Sequence, residues 1–142
     1  MGARVYVRLD KDDEVLSELK ETCRKLHIAA ATFQGIGACG EVEVATYLPE
    51  KQEFLSHVRT GMLEMISLTG NIVTGKDGQM AEHAHAIFSQ FDEATGRMEY
   101  LGGHLRRAVV VYTAEMVLDP VAGVIGQQYD VKVGIDVWNL EG

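Results

Sequence analysis

One stretch of this chain carries secure helical periodicity, and the residues beyond it read as strand after strand. Val15, Leu16, Leu19, Cys23 and Leu26 recur at helical spacing, which predicts an amphipathic helix over residues 12–26. Asp10 to Asp13 supply acidic groups for its start, and Arg24 and Lys25 place cations in its last turn, so each end complements the helix dipole. Elsewhere the pattern is that of strands. Val5–Leu9 is a short β-branched and aromatic run, and residues 28–33 read as a buried strand whose alanines also permit helix. Residues 41–48 alternate, with Val42, Val44 and Thr46 on one face and Glu41, Glu43 and Ala45 on the other. Beyond a turn at Pro49, residues 53–58 return as the hairpin partner. Further strands are predicted over 62–73, 80–91, 98–101 and 108–118, with turns at Gly75–Gly78 and Asp92–Arg97. Residues 121–128 read as a short helix or loop, and 129–138 as a last strand. This order predicts a single α+β domain over residues 1–142, a mostly antiparallel sheet packed with one or two helices.

A chain of 142 residues that is 46% apolar can bury a core without staples. Cys23 and Cys39 stand at no motif spacing and read as reduced, packed thiols, with zinc ligation by Cys39 as the alternative. The run Gln34–Gly40 holds Gly35, Gly37 and Gly40, which points to a bulge or a close backbone approach. It lacks both the dinucleotide-binding spacing and the lysine of a phosphate loop. The net charge of −8 argues against a general nucleic-acid binder, whose affinity rests on neutralising phosphates. Basic residues are scattered, with adjacent pairs only at Arg24-Lys25 and Arg106-Arg107. No apolar run is long enough to span a bilayer, and Met1–Val5 shows no secretory pattern, so no membrane partner and a cytoplasmic location are expected.

Chemistry concentrates in Glu82–Phe88 and in Gly102-Gly103-His104. Side chains alternate along a strand, so His83 and His85 share a face. His104 lies past the Asp92–Arg97 turn on a segment that returns beside them, where a regular hairpin brings in a third imidazole. Three neutral imidazoles and a water match an open zinc site, and also suit other borderline divalent metals. Against this stands a plain polar face on an exposed strand. His27 reads as a cation at the helix C-terminus, and His57 as a surface strand residue. Glu64, on a face with Met62, Ile66 and Leu68, and Glu115, on one with Val109, Val111 and Thr113, are carboxylates in apolar strands. Either is a candidate general base toward a metal-bound water, unless its face is open to solvent or a subunit partner satisfies it.

Four blocks carry a resemblance: Gln34-Gly35-Ile36-Gly37-Ala38, Leu63–Ile72, His83-Ala84-His85 and Gly102-Gly103-His104-Leu105. In this order and spacing the chain resembles the PPC domain, the plant and prokaryote conserved domain that in plants follows AT-hook motifs in nuclear DNA-binding proteins. The resemblance implies an α+β fold on an antiparallel sheet, a homotrimer, and a divalent metal ion, zinc by expectation, near a subunit interface. It assigns that metal to His83, His85 and His104. It implies a binding or regulatory module of the stand-alone prokaryotic type, with a metal-dependent enzyme as the second reading. The Arg-Gly-Arg-Pro hook through which the plant proteins reach DNA has no counterpart here. DNA as a partner is therefore inherited from the family and disfavoured by the charge.

Overall fold

The structure, a computed structural model, describes residues 3–141. The elements run β1 (Val5–Asp10), α1 (Val15–Lys25), β2 (Ala31–Leu48), β3 (Glu53–Thr74), β4 (Met80–Asp92), β5 (Arg97–Pro120), β6 (Gly126–Asp130) and β7 (Ile135–Asn139). The five-stranded sheet has the order β1-β5-β2-β3-β4, and β5 pairs a second time with β4. Strands β2 to β5 therefore close on one another, every pairing antiparallel. The α+β class and the dominant antiparallel sheet are as expected, with one helix among the described residues.

Several short strands predicted separately are single long ones. Residues 31–48 run as one strand because the glycine run bends the sheet without ending it: register shifts fall between Gly35 and Gly37 and between Cys39 and Glu41. A Cβ at Gly37 would stand 2.7 Å from Ala114 Cβ and 2.8 Å from its Cα, so only glycine lets β2 and β5 approach there. Likewise 53–58 and 62–73 merge into β3, and 98–101 and 108–118 into β5. The alternation expected over 41–48 breaks where a register shift separates Glu43 from Val44. Ala45 is buried beside Val44, and Thr46 faces solvent.

The helix begins later than the acidic run predicts. Its N-cap is Glu14, whose carboxylate accepts from Leu16 N at 3.1 Å and from Ser17 N at 3.0 Å. It also accepts from Ala108 N in β5 at 3.1 Å, so one side chain caps the helix and ties it to the sheet. Asp13 instead accepts from the backbone N–H of Asp10. Val15, Leu16, Leu19 and Cys23 then enter the same core as Leu63, Met65, Phe88 and Val110. Replacing Glu14 by alanine is expected to cost about 1–3 kcal/mol in urea unfolding, since it strands helix and strand donors together. An unchanged midpoint would contradict this role.

Both thiols are free and buried, as expected. Burial, and secondarily the charge of Glu14, pushes Cys39 up to about 11, which leaves it a packed thiol and a poor zinc ligand. The chain's end departs from expectation. Residues 126–139 form a hairpin in place of a loop or helix followed by one strand. Asp130 Oδ1 accepts from Lys132 N and Val133 N, Gly134 N donates to Asp130 O, and Gly134 takes φ +80°, which folds the chain back.

Candidate metal centre

Along β4, Ala84, Ala86 and Phe88 point into the core, which leaves His83 and His85 on the outer face. His85 lies directly opposite Thr69 of β3 on one side and His104 of β5 on the other. His104 in turn lies opposite Ala45 of β2, so it marks the point where β5 leaves β4 and takes up β2. Backbone closeness at this crossing depends on Gly103, which has φ +151° and whose Cβ would stand 2.8 Å from Ala45 O.

The three rings converge. Centroids are 5.1 Å apart for His83 and His85, 5.3 Å for His83 and His104, and 5.9 Å for His85 and His104. One ring nitrogen from each lies within 4.8 Å of the others. His27 and His57 are not part of this group: His27 ends the helix at φ +56°, and His57 Nε2 is 3.0 Å from Thr46 Oγ1.

The surroundings favour the neutral form of His83 and of His104. Desolvation, and then the neighbouring His85, hold His83 below its ordinary range. His104 is lowered by desolvation first, then by His83, His85 and Arg106, with Glu82 opposing. Neutral imidazoles present the lone pairs that a divalent metal requires. Three nitrogen donors with neighbouring open space suit zinc and other borderline ions, and leave a coordination position free. Asn71, opposite His83 on β3, adds an unspent acceptor: its Oδ1 is buried with no hydrogen-bond partner among the described residues. An acceptor so placed is of the kind that orients a ligating imidazole or a metal-bound water.

Beside the rings lies a cleft of about 550 Å³ with apolar walls from Tyr47, Phe54, Val133 and Ile135. Phe54 stacks 5.2 Å from both the Tyr47 ring and the His104 ring, and Arg106 lies over it at 5.4 Å. Trp138 flanks the other side of His83 and His85. None of these neighbours is evident from the sequence, although Tyr47 and Phe54 could be found as aromatics flanking the Pro49 turn, where they pair. Glu64 and Glu115 do not meet the histidines. Both are exposed and line a separate groove with Ile36 and Ile66. A register shift between Met65 and Ser67 turns Leu68 into the core, so the face shared by Glu64 and Ile66 is the solvent face.

The model of the Plants and Prokaryotes Conserved (PCC) domain matches residues 1–122 of this sequence. The chain belongs to the PCC family. Among solved structures, a PPC protein from Pyrococcus horikoshii is 30% identical, with a TM-score of 0.80 over 99% of this chain and 94% of its own. A metal-containing protein from Archaeoglobus fulgidus is 27% identical, with a TM-score of 0.84 over 97% and 94%. A protein from Ralstonia eutropha, described provisionally as DNA-binding, is 25% identical, with a TM-score of 0.82 over 95% and 90%. No curated protein matches by sequence. No helix of this PCC chain is long and apolar enough to cross a membrane among the described residues.

Proposed function

We propose that this PCC protein is a metal-binding module in which His83, His85 and His104 hold one divalent ion, zinc foremost. The convergence of three ring nitrogens within 4.8 Å carries the reading. A metal-containing family relative of the same fold supports it. When bound, the ion supplies a Lewis-acidic coordination position; the chain's own groups lower the proton affinity of His83 and His104 and wall the position with apolar surface.

Within this proposal the single domain over 1–142 assembles as a homotrimer in the cytoplasm and acts as a binding or regulatory unit. Tyr6, Ile36, Met62, Ile66 and Tyr112 are exposed on the sheet, which fits association through that surface. DNA fits poorly as partner. Of the 13 lysines and arginines, eight are already in ion pairs with carboxylates, and the chain carries −8 overall. The enzyme reading keeps its open metal position and loses its two candidate bases, because Glu64 and Glu115 line another groove. Metal analysis of protein purified without a tag, beside a His83→Ala/His85→Ala variant, tests the proposal: metal near one ion per chain is expected only in the parent. Equal metal in both would sink it.

A further inference from the structure

The cleft beside the histidines combines features that point to one ligand chemistry. Its apolar wall comes from two sources, the aromatic pair at the β2–β3 turn and the hairpin β6–β7. The hairpin lies beyond the residues that the PCC model matches. It is pinned over the site rather than loose: Lys76 Nζ is 2.7 Å from Asp136 Oδ1 and 5.6 Å from the centre of the Tyr129 ring. Thr74 N also donates to Ile125 O at 2.9 Å. From this anchorage Val133 and Ile135 face the cleft while each remains about half exposed, at 58% and 49%. Apolar side chains left half open on a pinned hairpin have surface to give to an apolar ligand.

Charge at the cleft's rim selects the other end of that ligand. Arg106 stands two residues from His104, at the register shift where β5 skips a residue against β2, and its guanidinium lies over the cleft residue Phe54. It makes no ion pair among the described residues. Glu82, the acidic neighbour of His83, is held by Lys20 at 3.0 Å. A metal ion on the three imidazoles and an unpaired guanidinium would therefore make the rim cationic in a chain that is otherwise acidic.

We propose that this cleft binds a small monocarboxylate with an apolar tail, its carboxylate at the metal and Arg106, and its tail between Phe54 and the hairpin residues Val133 and Ile135. The inference rests on the metal reading and deepens it by naming the ligand class. A volume near 550 Å³ is in the range of small-molecule sites, and ample for a six-carbon acid.

Cobalt(II)-loaded protein titrated with acetate and with hexanoate tests this, read by the visible spectrum of the ion. Each buried methylene is worth about fourfold in affinity, so burying two of the four extra ones makes hexanoate bind about fifteenfold tighter than acetate. In both Ile135→Asn and Val133→Asn, which add no charge, that preference is expected to shrink to about twofold while acetate still binds, because only the tail's wall has changed. Two variants guard against one that merely unpins the hairpin. Arg106→Gln is expected to weaken both acids alike. Cobalt bound with equal affinity for the two acids, or with no spectral response to either, overturns the ligand assignment alone. Failure to bind cobalt overturns the metal reading, and this inference with it.

Discussion

Replacing His104 by alanine is expected to lower zinc affinity by more than about a hundredfold while leaving the fold intact. Losing an outer partner of a metal ligand already costs about 10- to 100-fold, so losing one of three ligands should exceed that range. His104 suits the test because its ring is partly exposed and sits where β5 passes from β4 to β2. Removing it empties no packed volume. Competition against a chromogenic chelator measures the affinity, and far-ultraviolet circular dichroism the fold. His27→Ala, at the far helix end, is the control and should bind as the parent does. Acid should act in the same direction. Zinc binding competes with protons, so affinity falls as acid protonates the rings, and for His83 and His104 that loss comes below the ordinary imidazole range because the folded state lowers them. In the metal-free protein the sign is also fixed. His83 and His104 are depressed in the folded state, so the unfolded chain takes up protons first as the pH falls. Their contribution to stability is complete above the ordinary value and is lost as pH drops through the depressed ones. Zinc affinity unchanged in His104→Ala would remove that residue from the site.

The histidine site is legible in the sequence because its geometry is local. Two residues of spacing on a strand put His83 and His85 on one face, and one hairpin turn brings His104 directly opposite His85. The surroundings of the site are not legible, since they come from distant parts of the chain. Phe54 arrives with the β2–β3 turn, and Val133 and Ile135 arrive with a terminal hairpin whose sequence carries weak alternation. The same limit explains Glu64. Strand periodicity counts faces correctly until a bulge inserts one residue, and the shift after Met65 reverses every face beyond it. The mergers of short strands into β2, β3 and β5 have a related cause, since glycines that read as strand ends serve here as bends. Glu14 is hidden behind Asp10 to Asp13 because a capping carboxylate is chosen by reach, and its bond to Ala108 depends on contact across most of the chain.

Gly70→Ala is expected to be among the most damaging single methyls in the protein, and to damage the metal site as well as the fold. Gly70 sits opposite Ala84, between the two histidines of β4, and opposite Phe33 of β2. A Cβ there would lie 2.5 Å from the His83 carbonyl oxygen, 2.6 Å from Phe33 Cζ and 2.9 Å from Ala84 Cα. Two of these are backbone atoms in a closed sheet, so relief requires β4 to move away from β3, and β4 is also held by β5. Overpacking of this kind costs about 3 kcal/mol, or roughly 10 °C in Tm for a domain of this size. Because the strand that must move carries His83 and His85, zinc affinity should fall together with Tm. Gly78→Ala separates this from a general intolerance of glycine replacement. Gly78 has φ +79° and nothing within 4 Å of its would-be Cβ, so only backbone strain applies, about 1 kcal/mol, with zinc affinity unchanged. If Gly70→Ala melts like the parent, the close approach of β3 to the histidine strand is not what sets the site; if it melts early yet binds zinc normally, the three rings find the ion without that strand being held in place.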